Sequence, residues 1–212
     1  MTNNTLNRLI LLIAILTLLS SGVYAQQPTA KTFLEIGIQN SENAEYSEAI
    51  DEFKHAIQLK PDYDEAYYQM GQAFFNLHRY DESLESYEKA VKLNPDHADA
   101  QFALGIITSM LSKYDESINA FKTVIKLNPK YTNAHYSLGN VYFEMENYSD
   151  AADAFEQALK IRPKYAEARY QLGLCYINLS RQFIKSAKKE HASLKKLDDS
   201  LAKDLMKKIK GK

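Results

Sequence analysis

The chain has 212 residues, 45% of them hydrophobic and 25% charged, the balance of a folded globular protein. Its formal net charge of −1 argues against a generally basic nucleic-acid binder, and its one cysteine, Cys175, excludes an internal disulfide. Fifteen tyrosines and nine phenylalanines occur without a tryptophan, so the placement of the aromatic residues is the first thing to trace.

The first 25 residues differ from the rest. Arg8 precedes the apolar run Leu9 to Leu19, then come Ser20, Ser21 and Gly22, and Val23-Tyr24-Ala25 follow. A basic start, an apolar middle and small residues at −3 and −1 have the shape of a secretory signal peptide. Cleavage is expected after Ala25, giving an exported, periplasmic or secreted chain. The alternative is a retained anchor, for which the apolar run is short against the ~20 residues of a membrane span. No cysteine lies near the cleavage site, which argues against a lipid-modified N-terminus.

Beyond the leader, four residue types share one period. Pro61, Pro95, Pro129 and Pro163 are each 34 apart, as are Gly37, Gly71, Gly105, Gly139 and Gly173. Tyr46, Tyr80, Tyr114 and Tyr148 keep the step, and so do Phe53, Tyr87, Phe121 and Phe155. Within a unit the apolar spacing is helical: Tyr67, Met70, Phe74 and Leu77, then Leu84, Tyr87 and Val91. Each unit therefore reads as two amphipathic helices. Ser47, Asp81, Asp115 and Ser149 are the expected N-caps of the second helices, and the prolines end them. A glycine inside a helix costs about 0.5–1 kcal/mol relative to alanine, so five at one register demand a close approach. Ala49, Ser83, Ser117 and Ala151 are the expected partners in it.

Leu138-Gly139, Tyr142, Ala151, Phe155, Ala158 and Pro163 resemble the tetratricopeptide repeat. Repeats are placed at 30–63, 64–97, 98–131 and 132–165, with a degenerate fifth from 166, a solenoid over 30–181. Phe33, Tyr67, Gln101, His135 and Arg169 stand where the family has tryptophan, so looser packing is expected there. The segment 182–212 reads as basic amphipathic helices that cap the open end. Ala187, His191 and Leu194 imitate a second helix, and Leu201, Leu205 and Ile209 form a last one. The resemblance implies an all-α, right-handed solenoid of antiparallel helix pairs that binds protein.

The resemblance also implies a concave groove lined by positions 2, 5, 9, 12 and 13 of the first helices. The candidate binding residues are Tyr68, Gln72, Phe75, Asn76, Phe102, Ile106, Tyr136, Asn140, Phe143, Tyr170, Leu174 and Asn178. Tyr68, Phe102, Tyr136 and Tyr170 form a ladder one unit apart, suited to an extended peptide or a partner helix. The same rings are also able to fill gaps between adjacent first helices, and the sequence leaves both open. Some family members clamp a C-terminal carboxylate with groove Lys and Arg residues; positions 5, 9 and 13 hold none here. Glu42, Glu65, Asp99, Glu144 and Glu167 make the groove acidic, which favours an apolar to aromatic ligand with some basic character.

Charge is divided along the chain. Residues 26–180 hold 14 Lys+Arg against 23 Asp+Glu, a net −9, and residues 181–212 hold 11 against 4, a net +7. A second expectation is therefore structural self-association of acidic body with basic tail, which molar mass measured against salt concentration distinguishes. Contact of the tail with an anionic membrane surface is a further reading, weaker than a solvated capping face. No enzyme is expected. The five histidines fall at unrelated repeat positions, no glycine-rich phosphate loop occurs, and neither metal nor cofactor is implied.

Overall fold

A computed structural model describes residues 28–179 and 184–211. The leader, its cleavage after Ala25 and residues 182–183 of the C-terminal segment lie outside the described residues. The described chain is helical and consists of consecutive antiparallel pairs. Four full pairs are α1 (Ala30–Glu42) with α2 (Tyr46–Leu59), α3 (Asp64–Asn76) with α4 (Tyr80–Leu93), α5 (Ala98–Met110) with α6 (Tyr114–Leu127), and α7 (Thr132–Glu144) with α8 (Tyr148–Ile161). Then come α9 (Ala166–Leu179), α10 (Ile184–Leu194) and α11 (Asp199–Lys210). Each helix packs on the one before and the one after, so the core is a chain of small clusters and not one central body.

The period has a physical cause. A Cβ on Gly37 would lie 2.5 Å from the Phe53 ring, one on Gly71 2.7 Å from Tyr87, and one on Gly105 or Gly139 2.6 Å from Phe121 or Phe155. The rings of Phe53, Phe121 and Phe155 are fully buried. The small residues contribute a second, smaller contact. Ser83 Oγ donates to the Gly71 carbonyl at 2.9 Å and Ser117 Oγ to that of Gly105 at 2.7 Å. The close approach expected of the small residues is present, but the group that excludes a Cβ is the aromatic ring.

The turn inside each unit corrects the expected caps. The second helices begin at Tyr46, Tyr80, Tyr114 and Tyr148, so Ser47, Asp81, Asp115 and Ser149 sit inside the first turn. Glu45, Arg79, Lys113 and Asn147 occupy the cap position, and of these only Asn147 accepts a first-turn N–H, that of Asp150. The reason is how the first helix ends. His78 N–H donates to the Phe75 carbonyl and Arg79 N–H to that of Phe74, a Schellman closure, and the same pair of bonds recurs in units one, three and four. It places Ala44, His78, Ser112 and Glu146 in the left-handed region, at φ of 62°, 59°, 59° and 58°. The chain enters the second helix directly from this turn.

The position of the missing tryptophan is put to another use in three units. Gln101 Nε2 donates to the Pro95 carbonyl at 3.0 Å, His135 Nε2 lies 3.0 Å from that of Pro129, and Arg169 donates to that of Pro163 at 2.7 Å. These side chains tie each unit to the turn before it. Arg169 also pairs with Glu190 at 2.5 Å, both largely shielded from solvent, which fixes α10 on α9.

The end of the stack is covered by α11, whose cap Asp198 accepts the N–H groups of Ser200 and Leu201, each at 3.0 Å. Ala202, Leu205 and Ile209 are buried with Ile177, Ala187 and Leu194. A Cβ on Gly173 would meet Leu205 Cδ2 at 2.8 Å. In the fifth unit the group nearest the glycine is thus an aliphatic residue of α11, not His191 of α10.

Replacing Gly139 with Ala is expected to destabilise the fold by about 1–3 kcal/mol, despite the better helix propensity of alanine. In a Phe155→Leu background the added methyl has room, and the same change is expected to cost less. Urea unfolding of the two single variants and the double variant checks this coupling.

Candidate functional site

The first helices form one side of the stack. Of these, α1 approaches α3, α5 approaches α7 and α7 approaches α9, whereas α3 and α5 make less contact with each other. A cavity of about 390 Å³ lies at that place. From α3 it is lined by Tyr68, Gln72, Phe75 and Asn76, and from α5 by Asp99, Phe102, Ala103 and Ile106. Tyr87 of α4 and Tyr131, from the turn after α6, complete it. Six expected groove residues therefore meet in one hollow: Tyr68, Gln72, Phe75, Asn76, Phe102 and Ile106. A second hollow of about 350 Å³ lies between α1 and α3 and shares Gln72 and Asn76 with the first. The groove is thus continuous over the first three units.

The remaining expected residues are arranged differently. Tyr136 leans on Phe155 and Tyr165, with centroids 5.7 and 4.9 Å away, so its ring fills space within its own unit. Phe143 meets Tyr148 edge-on at 5.2 Å, as Phe75 meets Tyr80 at 5.7 Å. Asn140 Oδ1 is buried without a hydrogen-bond partner among the described residues. Tyr170 and Leu174 pack against the cluster that α11 builds, and Asn178 donates to the Leu174 carbonyl of its own helix at 3.0 Å. In the fifth unit Tyr170 and Leu174 are therefore partly covered by the chain itself, while Asn178 stays exposed.

One set of groove residues was not in the expected list. Tyr63, His97, Tyr131 and Tyr165 each stand two residues after the closing proline. The last three lie against the position-5 ring of their own unit. Centroid separations are 4.9 Å for Tyr68 with His97, 5.2 Å for Phe102 with Tyr131, and 4.9 Å for Tyr136 with Tyr165. The 34-residue period carries this signal too, but these residues lie just outside the first helices, where the groove was sought.

The site is electrically negative. Burial first, and then the charges of Asp99 and Glu65, push the Tyr68 phenol up to about 12. Burial followed by Asp99 raises Tyr131 as well. The Tyr68 hydroxyl accepts from Gln72 Nε2 at 2.6 Å, and Asn76 Nδ2 donates to the Gln72 carbonyl at 2.9 Å, so these amides are turned along α3. Glu65 accepts from Gln69 at 2.7 Å and sits 3.1 Å from His97 Nε2. Cys175 is buried, and desolvation holds its thiol near 12, in the protonated form that is a poor nucleophile. Among the described residues no three His, Cys, Asp or Glu side chains are grouped to hold a metal. The arrangement suits binding: rings for stacking, carboxylates for a positive charge, and a trough long enough for several side chains.

Models of the tetratricopeptide repeat match residues 64–97 and 132–165 and residues 86–119, and a related repeat model matches 43–78 and 111–146. Together these matches run from 43 to 165, more than half of the chain. The chain is a tetratricopeptide-repeat protein. Two of the matches coincide with the second and fourth repeats delimited by proline. Among solved structures it is similar to a crystal structure of MamA, at 26% identity and a TM-score of 0.75, over 83% of this chain and 95% of that one. A MamA segment, 41 to the end, from Desulfovibrio magneticus RS-1 matches at 24% identity and a TM-score of 0.73, over 81% and 96%. YrrB, described as a TPR protein with an unusual peptide-binding site, matches at 20% and 0.76, over 89% and 97%. The last two likenesses show the fold alone. A comparison with functionally curated proteins gives no match.

Because the folded-state pKa of Tyr68 is raised from 10 to about 12, its protonated form contributes stability that is complete below pH 10. That contribution is lost as pH rises through about 12. A Tyr68→Phe variant has no such group and is expected to lose less stability across this window. The difference should be about 1 kcal/mol after allowing for solvent screening of a partly exposed ring. Urea midpoints of the two proteins, measured from neutral to alkaline pH, check it.

Proposed function

We propose that the chain binds a segment of another protein, an extended peptide or a helix, in the groove of its first helices, and that it works outside the cytoplasm. The observation that carries the first part is the cavity between α3 and α5, where five rings, two amides and a carboxylate converge at a solvent-open site. An enclosed metabolite pocket would be deeper and closed, whereas this trough continues toward α1. The peptide-binding site named for YrrB supports the reading by analogy of fold. Carboxylates at Glu42, Asp99 and Glu144 are exposed along the groove and favour a segment carrying apolar or aromatic anchors with basic neighbours. A role in envelope assembly or secretion fits an exported scaffold of this kind. Export itself rests on the leader at 1–25.

Selection of peptides from a random displayed library on the purified chain is expected to enrich aromatic residues flanked by Lys or Arg. Changing Tyr68, Phe75 and Phe102 together to Ala should weaken the selected peptides at least tenfold while the circular dichroism of the fold is kept, in line with the loss of buried aromatic anchors. Unchanged affinity would remove the groove from consideration.

The mass of the chain recovered from its native cells is expected to correspond to a polypeptide starting at Gln26. A chain that still starts at Met1 and stays with the cytoplasmic fraction would overturn the export reading.

A further inference from the structure

The rings along the groove differ in what the chain itself sets against them. Lys60 Nζ stands 4.2 Å from the centroid of Tyr63, and the Arg162 guanidinium 4.5 Å from that of Tyr165. At the far end, Lys208 Nζ lies 5.4 Å from the centroid of Tyr170, donates to its hydroxyl at 2.9 Å, and pairs with Asp204 at 3.3 Å. Tyr170 in turn donates to Asp204. Ring, carboxylate and ammonium thus form one compact set there.

Units two and three break the pattern. The repeat position held by Lys60 and Arg162 is Asn94 in one and Asn128 in the other. Among the described residues no Lys or Arg lines the cavity between α3 and α5. Its residues supply the other two members of the set: the rings of Tyr68, Phe102 and Tyr131, and the carboxylate of Asp99, whose charge reaches both phenols. The asparagines also serve the turn, since Asn128 Oδ1 accepts the Lys130 N–H at 3.1 Å. That use does not require asparagine, because the corresponding turns form with Lys60 and Arg162 in its place.

We propose that this cavity receives the cationic side chain, Lys or Arg, of a bound protein segment, with the Tyr68, Phe102 and Tyr131 rings as walls and Asp99 as counter-charge. The proposal deepens the groove reading and rests on it. A cation over an aromatic face is attracted by the ring quadrupole, most strongly where water is partly excluded. A nearby carboxylate adds to this, and it disfavours an anionic side chain in the same place. The volume of about 390 Å³ accommodates an extended Lys or Arg side chain together with part of its backbone.

The test uses single-residue probes, so it does not depend on finding the natural partner. The purified, isotope-labelled chain is titrated with the N-acetyl methylamides of lysine, arginine and norleucine, and amide shifts are followed by NMR. Saturable shifts centred on Phe102, Ala103 and Ile106 are expected with the two cations and not with norleucine. Asp99→Asn is expected to weaken the cations about fivefold, in line with one partly desolvated cation–carboxylate contact. Asp153→Asn removes the same charge from an exposed position on α8, outside the groove, and should leave them unchanged. Asn128→Arg copies the Arg162–Tyr165 arrangement onto Tyr131 and should abolish the shifts. Norleucine binding as well as lysine, or equal effects of Asp99→Asn and Asp153→Asn, would overturn the proposal. A peptide groove without this preference would survive that result, because library peptides still selected through Tyr68 and Phe75 would report it separately.

Discussion

The contact on which everything else depends is an aromatic ring laid on a glycine. In each of the four full units the second helix presents one ring, and the first helix must present a bare backbone to take it. This sets the separation of the two helices, and with it the direction in which the next unit leaves. Because the ring is wholly or almost wholly buried, the arrangement is rigid within each unit. The first helices are then held in a fixed series, and the residues on their outer side become rungs at a constant spacing. The candidate groove is therefore a product of packing on the opposite side of the same helices.

What the sequence made legible follows from which contacts need a particular residue. A ring on a glycine tolerates almost nothing else, so Gly37, Gly71, Gly105 and Gly139 advertise the fold at once. Prolines that end the second helices are equally constrained. The left-handed residue of the inner turn is another matter. Ala44, His78, Ser112 and Glu146 all occupy it, and so varied a set leaves no trace to read. Without that turn, the second helices were expected to begin at the acidic and hydroxyl residues that lie just inside them. The polar residues at the tryptophan position were similarly opaque. That Gln101, His135 and Arg169 bond to the preceding proline carbonyl depends on a tertiary geometry that sequence spacing alone does not reveal.

The site was legible in its middle and not at its edges. Tyr68, Gln72, Phe75, Asn76, Phe102 and Ile106 lie on regular helices, where register determines direction, and they line one hollow. Tyr131 completes the same cavity from a turn, to which helical register does not extend. Tyr170 and Leu174 have the right register but the wrong neighbour. The repeat period stops after Leu179, so register foretells a capping helix but not that α11 lies against Tyr170 and Leu174. Leu205 then takes the place against Gly173 that a ring takes in the other units.

The position of α11 has a directional consequence. It lies against Tyr170 and Leu174 at one end of the groove, while the hollow between α1 and α3 lies toward the other. The two ends of the ring ladder therefore differ: Tyr170 is bonded to Asp204 and Lys208 of α11, while the hollow beside α1 stays open to solvent. In the binding mode proposed above, the two ends of a guest segment would meet different neighbours, so the trough would carry a polarity.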